Sequence, residues 1–389
     1  MEIIIFLIVI IVLILVHELG HFIVAKLSGM RVDEFGIGYP PRALTIGKVG
    51  ETEYTLNWLP FGGFVRIYGE DAVTEEAVAG EAVDKETNES TRGSGASSRA
   101  FSSKPRILQA LTLIAGIVMN LLFAYILLTT TLVIGTLQPL SPEQIPQVKD
   151  ATIAFTDVRP GSPADKAGFM AGDEIKSASI ITKTFAETYD GNNPEGLTTL
   201  ISTDTQGDPM KFIVDRNGKM LTIMATPVAG AITSAPRRPG LGVVVTAIGT
   251  IKVPLKDAFT QGAHFTWEAT RATAIGLFDF FKSIFTFKAN LAQVTGPIGI
   301  ANAVGHASMN GIAALLSLTA LISINLALIN LLPIPALDGG RLLFVIIEGI
   351  IRRPLNPKIA ERVNMVGFAF LILLMIVVSG HDIFNLLHK

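Results

Sequence analysis

The residues best suited to chemistry form a His-Glu-Leu-Gly-His cluster near the start of the chain. His17, Glu18 and His21 follow an uninterrupted apolar run at 3–16. On a helix the two histidines lie one turn apart on one face, the spacing of two ligands to one zinc ion, with Glu18 beside them as general base. Ionisable groups in a membrane span cost about 2.5–3.5 kcal/mol each and therefore usually mark function. We expect a metalloprotease with its metal within the bilayer; the alternative is a chance match in a soluble helix.

The composition of the 389-residue chain favours a membrane protein. Only 16% of the residues are charged and 49% are hydrophobic, whereas a typical soluble domain has about 25% charged residues. The net charge of −2 gives no indication of a nucleic-acid partner. The absence of cysteine excludes disulfides, thiolate zinc ligands and a cysteine nucleophile.

Four segments are long and apolar enough to cross a bilayer, which takes about 20 helical residues. We therefore predict an α-helical membrane protein with four transmembrane helices and an inserted β-rich domain. The helical regions are 1–28, 105–138, 311–337 and 363–380, with apolar cores at 3–27, 107–137, 311–332 and 363–379. Basic residues between the first and second spans, and between the third and fourth, place those connections in the cytoplasm. The His-Glu cluster then lies toward the cytoplasmic side of a bacterial inner membrane.

The remaining segments differ in composition. Residues 71–104 are rich in Glu, Ser, Thr and Gly, which predicts a flexible cytoplasmic linker. Residues 149–230 alternate apolar and turn residues, which is typical of a small β-rich domain, here placed outside the membrane. The region 252–305 contains an aromatic-rich stretch at 257–287, which predicts amphipathic helices on the membrane surface, and then a segment preceding the third span. A buried helix of a soluble domain is the alternative for the aromatic-rich stretch.

A catalytic zinc site takes three protein ligands and keeps one position open. On this topology the remaining histidines, at 264, 306, 381 and 388, fall outside or at the far edge. Asp338 follows Pro333 and Pro335, which must end or bend the third span, and it lies on the same side as the two histidines. Asp338 is therefore the candidate third ligand; its alternative role is to cap the helix that follows.

The order of these motifs resembles the site-2 protease family over nearly the whole chain. The motifs are HELGH, a Leu-Asp-Gly turn after a Pro-x-Pro break, and an insert whose residues 157–175 resemble the bacterial, protease-associated form of the PDZ family. Within the family, the chain is most similar to the RseP-like regulated intramembrane zinc proteases. The resemblance implies a Zn²⁺ cofactor held by His17, His21 and Asp338, with Glu18 activating water. The best-studied members carry two PDZ domains, whereas this chain has room for one.

Three asparagines are candidates for substrate binding. Gly116 and Asn120 are similar to the family's GxxxN motif, whose alternative role is helix packing through glycine. Asn325 and Asn330 precede the prolines by one to two turns, and could bond the backbone of a locally unwound substrate helix or the neighbouring helices. Residues 58–68 resemble the family's membrane-associated β-loop, assigned to 29–70, and 294–301 match a stretch before the third span.

These features predict regulated intramembrane proteolysis. The expected partners are the lipid bilayer, transmembrane protein substrates such as anti-sigma factors or signal-peptide remnants, and a peptide or protein ligand of the PDZ domain. One alternative is a non-enzymatic PDZ sensor or receptor whose metal only stabilises the helix bundle. A transporter is disfavoured because the spans show no internal repeat.

Overall fold

The computed structural model describes residues 2–70, 98–141, 143–148, 150–181, 188–189, 193–203, 207–216, 218–229, 238–286, 296–353 and 355–387. The chain divides into two compact units. The first combines Met1–Thr130 with Lys256–Lys389, and the second is Thr131–Leu255. Most of the predicted linker, at 71–97, lies outside the described residues.

Helices dominate the first unit. They are α1 (Glu2–Leu27), α2 (Arg106–Ile134), α5 (Leu255–Phe285), α6 (Pro297–Met309), α7 (Ile312–Leu331), α8 (Asp338–Ile351) and α9 (Pro357–Leu387); α3 and α4 belong to the second unit. Four described helices contain stretches long and apolar enough to span a membrane: Ile3–Leu27, Arg106–Ile134, Ile312–Leu331 and Lys358–Gly380. The structure thus contains four helices of the length and composition that the predicted spans require.

The helix boundaries differ from the predicted ones at several points. The second span ends at Ile134 rather than at 138, because Gly135 takes a φ of +107° and the next residues form a strand. The third ends at Leu331, ahead of the proline pair. The connection at 338–362 contains α8, the helix that the alternative capping role of Asp338 required.

A two-stranded antiparallel hairpin follows α1. It consists of β1 (Val32–Val49) and β2 (Thr52–Ile67), in agreement with the β-loop expected at 29–70. Its turn is held by Glu51, which accepts from Arg99 at 2.8 Å and from Lys26 at 3.2 Å. The Arg99 hydrogen bonds, and then the Lys26 contact, outweigh burial and lower the pKa of Glu51 to about 2.

Helices α1 and α2 pack at unusually close range. A Cβ atom on Gly20 of α1 would lie 2.4 Å from the carbonyl oxygen of Ala115 on α2. No larger residue fits there without moving a backbone, so the HELGH glycine is needed for the approach of the two helices. This approach places both histidines of α1 against α2.

The predicted region 252–305 holds two different kinds of helix. Helix α5 exposes large apolar side chains, among them Phe259, Trp267 and Phe278, and its placement on a membrane surface stays a prediction. Helix α6 instead packs into the first unit, where Val304 joins a buried cluster with Val9 and Leu13 of α1. Helix α6 falls on the segment predicted to precede the third span, and its apolar residues are covered by helices remote in sequence.

The second unit is built around an antiparallel sheet. The strand order is β3-β11-β4-β5-β7-β8, with β6 paired to β5. The strands are β3 (Thr136–Pro139), β4 (Thr152–Val158), β5 (Asp173–Ile180), β6 (Thr188–Tyr189), β7 (Met210–Arg216), β8 (Lys219–Ala225) and β11 (Val243–Ile251). A small pair, β9 (Val228–Ala229) and β10 (Pro239–Gly240), and helices α3 (Pro163–Ala167) and α4 (Pro194–Thr203) complete it.

The core of the second unit explains the predicted β-rich pattern, and the strand order extends the bounds predicted for this domain. Phe155, Phe169 and Phe212 meet edge to face with centroids 5.0–6.2 Å apart. Strand β11 lies between β3 and β4, so the predicted range 149–230 omits two strands of the sheet. The β-rich prediction is confirmed, and the PDZ assignment remains a prediction.

Candidate metal centre

Three side chains that are far apart in sequence converge in the first unit. The Nε2 atoms of His17 and His21 lie 2.8 and 3.2 Å from Oδ2 of Asp338, and 3.2 Å from each other. Both histidines are buried. Among the described residues these three form the group of His, Asp and Glu side chains able to hold a metal ion. His264 and His306, the other histidines whose side chains the structure describes, do not join it.

The turn after α7 brings Asp338 to this position. Ala336 takes a φ of +74° in the break after Pro333 and Pro335. Gly339 and Gly340 then pack so tightly on preceding carbonyl oxygens that a Cβ on either would approach one to 2.3 Å. The Asp-Gly-Gly sequence therefore permits a reversal too compact for larger residues.

Asp338 does not cap the helix that it begins. Leu337 occupies the cap position of α8, and no side chain caps there. The carboxylate faces the imidazoles instead. Burial raises the pKa of Asp338, but hydrogen bonds with His17 and His21 outweigh it and hold the pKa well below its usual range, so the carboxyl is ionised.

These three groups fit zinc. In a tetrahedral site with bonds of about 2.0–2.1 Å, neighbouring ligand atoms are separated by about 3.3 Å, close to the 2.8–3.2 Å found here. Two imidazoles and a carboxylate are a donor set that zinc accepts, and three protein ligands leave the fourth position open. The donor set thus matches a catalytic rather than a closed structural site.

Glu18 lines the cavity that opens beside the three ligands. The cavity has a volume of about 530 Å³ and is bounded by α1, the end of β2, α7 and α8. Gly63 of β2 faces Glu18: a Cβ there would lie 3.6 Å from the Glu18 Cγ. Tyr39, Phe64 and Asn330 also line this space. A carboxylate that lines a cavity beside a three-ligand site can move protons to and from a bound molecule.

A salt bridge that the sequence analysis missed lies at the edge of this cavity. Arg341, one turn after Asp338 on α8, donates to Oε1 of Glu70 at 2.9 Å, and both residues line the cavity. The pair connects α8 to the chain just beyond β2. No local pattern in the sequence indicates this pair, because Arg341 and Glu70 are 271 residues apart in the chain.

The structure separates the three candidate asparagines. Asn330 reaches the centre, with Nδ2 3.5 Å from Nε2 of His17, and Asn120 lies 3.3 Å from Nδ1 of the same ring. Asn325 is exposed, and its amide donates to the Leu321 carbonyl of its own helix. Since Asn325 does not line the cavity, substrate binding there is not supported.

Helix α2 forms the wall behind the two imidazoles. The backbone carbonyl of Thr112 lies 2.8 Å from Nδ1 of His21. One turn later, a Cβ on Gly116 would lie 2.5 Å from Nε2 of His21 and 2.8 Å from Cε1 of His17. The glycine predicted to serve helix packing therefore also provides space for the imidazoles themselves.

Comparison with known proteins agrees with this geometry. The model of peptidase family M50 matches residues 5–374. A putative zinc metalloprotease of Clostridium perfringens is 34% identical over 380 residues, covering 95% of each chain. The zinc metalloprotease RasP of Geobacillus kaustophilus is 30% identical, covering 98% of this chain and 97% of its own. The regulator of sigma-W protease RasP of Bacillus subtilis is 30% identical, covering 95% of each.

Proposed function

Because this chain belongs to peptidase family M50 and is a zinc metalloprotease, we propose that it cleaves transmembrane segments of membrane proteins within the bilayer. In this proposal His17, His21 and Asp338 bind zinc and Glu18 is the general base. The observation that carries the proposal is the meeting of three ligand atoms beside a cavity lined by Glu18. Two of the atoms come from α1, which is long and apolar enough to span a membrane, and the third comes from the start of α8.

In the proposed reaction Glu18 transfers protons and Asn330 stabilises the carbonyl oxygen, beside the bound zinc. Zinc, when bound, acts as a Lewis acid that makes water more acidic and polarises a carbonyl. Glu18 takes the proton from the attacking water and returns it to the amine that leaves when the peptide bond breaks. Asn330 faces the ligand cluster and can donate to the carbonyl oxygen as negative charge develops on it.

The substrate helix must unwind before its peptide bond can react, since all its backbone amides are bonded internally. The end of β2, Gly63 to Ile67, lines the cavity beside Glu18. A freed, extended segment could pair with this strand and so be held next to the general base. Binding would come from backbone hydrogen bonds, and side-chain selectivity from the apolar cavity walls.

The proposed placement is a bacterial inner membrane, where the bacterial relatives of this family suggest it. Basic residues beside the spans support an orientation with the metal toward the cytoplasm and the second unit outside. There the second unit would bind a peptide or protein ligand and regulate access. Such regulation would suit processing of anti-sigma factors or signal-peptide remnants. The relative named a regulator of sigma-W protease is consistent with the first of these.

Metal removal tests the proposal. We expect purified protein treated with a zinc chelator to lose cleavage of a transmembrane peptide of about 20 apolar residues, and to recover it on addition of one equivalent of Zn²⁺. Cleavage should be faster for a peptide with two central glycines than for its all-leucine counterpart, because each glycine weakens a helix by about 1 kcal/mol. Cleavage that persists without metal, or no cleavage by the zinc-loaded protein, contradicts the proposal.

Deletion of the second unit tests its regulatory role. Pro139 of β3 and Ile248 of β11 are directly paired, so an Asn-Gly turn can replace residues 140–247 and close the two strands as a hairpin. Every residue lining the cavity belongs to the first unit. We therefore expect the shortened protein to bind zinc, retain residual cleavage and accept a broader set of peptides.

Zinc content and cleavage of a panel of transmembrane peptides by the shortened and full-length proteins provide the measurement. A folded, zinc-loaded deletion protein without any activity would show that the second unit is required for catalysis itself.

A further inference from the structure

Each zinc-binding imidazole requires a defined tautomer. In His21 the backbone carbonyl of Thr112, which can only accept, lies 2.8 Å from Nδ1. The Nδ1 atom therefore carries the hydrogen, and Nε2 directs its lone pair toward Asp338 and His17. Hydrogen bonds of this kind, from the second ring nitrogen, fix the orientation of metal-binding histidines in general.

His17 meets a side chain at the corresponding position. Its Nδ1 lies 3.3 Å from the Asn120 amide nitrogen, and Asn120 is fully buried. An amide nitrogen facing Nδ1 would donate to it, which places the ring hydrogen on Nε2 and prevents Nε2 from binding a metal. In this orientation the Asn120 Oδ1 is buried without a hydrogen-bond partner.

Rotation of the amide by half a turn resolves both conflicts. The two ends of an asparagine amide have nearly the same shape, so Oδ1 can occupy the place of the nitrogen at the same distance from His17. Oδ1 then accepts from Nδ1–H, and Nε2 of His17 is free to bind zinc. The ligand geometry therefore favours the rotated orientation, in which the buried Oδ1 also gains a hydrogen-bond donor.

We propose that Asn120 is a positioning residue that accepts a hydrogen bond from His17 and fixes the imidazole for zinc, an inference that rests on the proposed zinc ligation. Together with the Thr112 carbonyl, it makes α2 the support for both histidines. Gly116, between them, leaves room for the rings. This role replaces the substrate contact expected for Asn120, because a fully buried amide behind the ligand has no access to a substrate.

Three variants separate this role from a structural one. Asn120→Leu has a similar size but no acceptor, whereas Asn120→Asp retains an oxygen for Nδ1–H. Ser323→Ala is the matched control: the buried Ser323 hydroxyl of α7 donates to the Asn120 backbone carbonyl at 2.8 Å. Loss of this hydroxyl disturbs the contact between α7 and α2 at Asn120 and leaves the acceptor for His17 in place.

Zinc affinity, measured in detergent by competition with a chromophoric chelator, is the readout. We expect Asn120→Leu to weaken zinc binding about 10- to 100-fold, the range for loss of a partner behind a metal ligand. Asn120→Asp should bind zinc within about threefold of wild type, and Ser323→Ala should bind as wild type does. Rescue by aspartate identifies the acceptor, since a packing defect would not be repaired by a buried carboxylate.

The outcomes separate this inference from the function on which it rests. Wild-type zinc affinity in Asn120→Leu, or failure of Asn120→Asp to restore it, overturns the positioning role and leaves the protease proposal standing. A raised KM with unchanged zinc affinity in Asn120→Leu would show instead that Asn120 contributes to substrate binding, and would overturn the positioning role. If the wild-type protein holds no zinc at His17, both proposals are wrong.

Discussion

Replacement of Glu18 by glutamine is expected to leave one zinc ion per chain and to lower the cleavage rate by about 100- to 10,000-fold, the usual contribution of a general base. Glutamine has the shape of glutamate, so the cavity wall opposite Gly63 stays intact. Its amide can neither take a proton from water nor return one to the amine. The three ligand atoms come from other side chains, so zinc binding should not change.

Single-turnover cleavage of a transmembrane peptide, together with zinc content, measures this effect. Glu348→Gln is the matched control, since Glu348 is a partly buried carboxylate of α8 that pairs with Arg106 at 2.7 Å and does not line the cavity. It should retain wild-type activity. Normal turnover by Glu18→Gln would rule out its role as general base, and loss of zinc would instead indicate a role in the metal site.

Asp338→Asn is expected to insert and fold normally, to bind zinc far more weakly, and to cleave nothing measurable. The carboxylate supplies negative charge and a hard oxygen, which a neutral amide replaces poorly. We expect the affinity to fall by more than the 10- to 100-fold typical of a partner behind the ligand. The fold should tolerate the change, since the Asp338 side chain does not cap α8.

Asp382→Asn makes the same chemical change at another buried aspartate. The Asp382 carboxylate accepts from the backbone amides of Gly296 and Gly299 at the start of α6. Its loss should lower thermal stability and leave zinc affinity unchanged, the reverse of the expectation for Asp338→Asn. Melting temperature and zinc affinity of both variants distinguish the two roles; full zinc occupancy in Asp338→Asn would remove Asp338 from the site.

Local periodicity was enough to predict much of the molecule. His17 and His21 share a face because four residues make about one helical turn, whatever surrounds them. The four spans follow from continuous apolar length, and the prolines at 333 and 335 end α7 because they lack a backbone donor. Such features depend on residues near one another in the chain, so they could be inferred without a structure.

Tertiary packing decided the rest. The sequence offers Asn120, Asn325 and Asn330 as equivalent amides, yet the crossing of the helices places one behind His17, one at the cavity and one on an exposed face. The second unit was assigned too narrowly because β3 pairs with β11, more than 100 residues later. The burial of α6 could not be inferred from its own residues, because residues that cover it lie on α1. Contacts between residues so distant in sequence cannot be predicted from periodicity. The spacing of apolar residues in each segment reflects only the helix or strand to which they belong, and does not show which other segment it packs against.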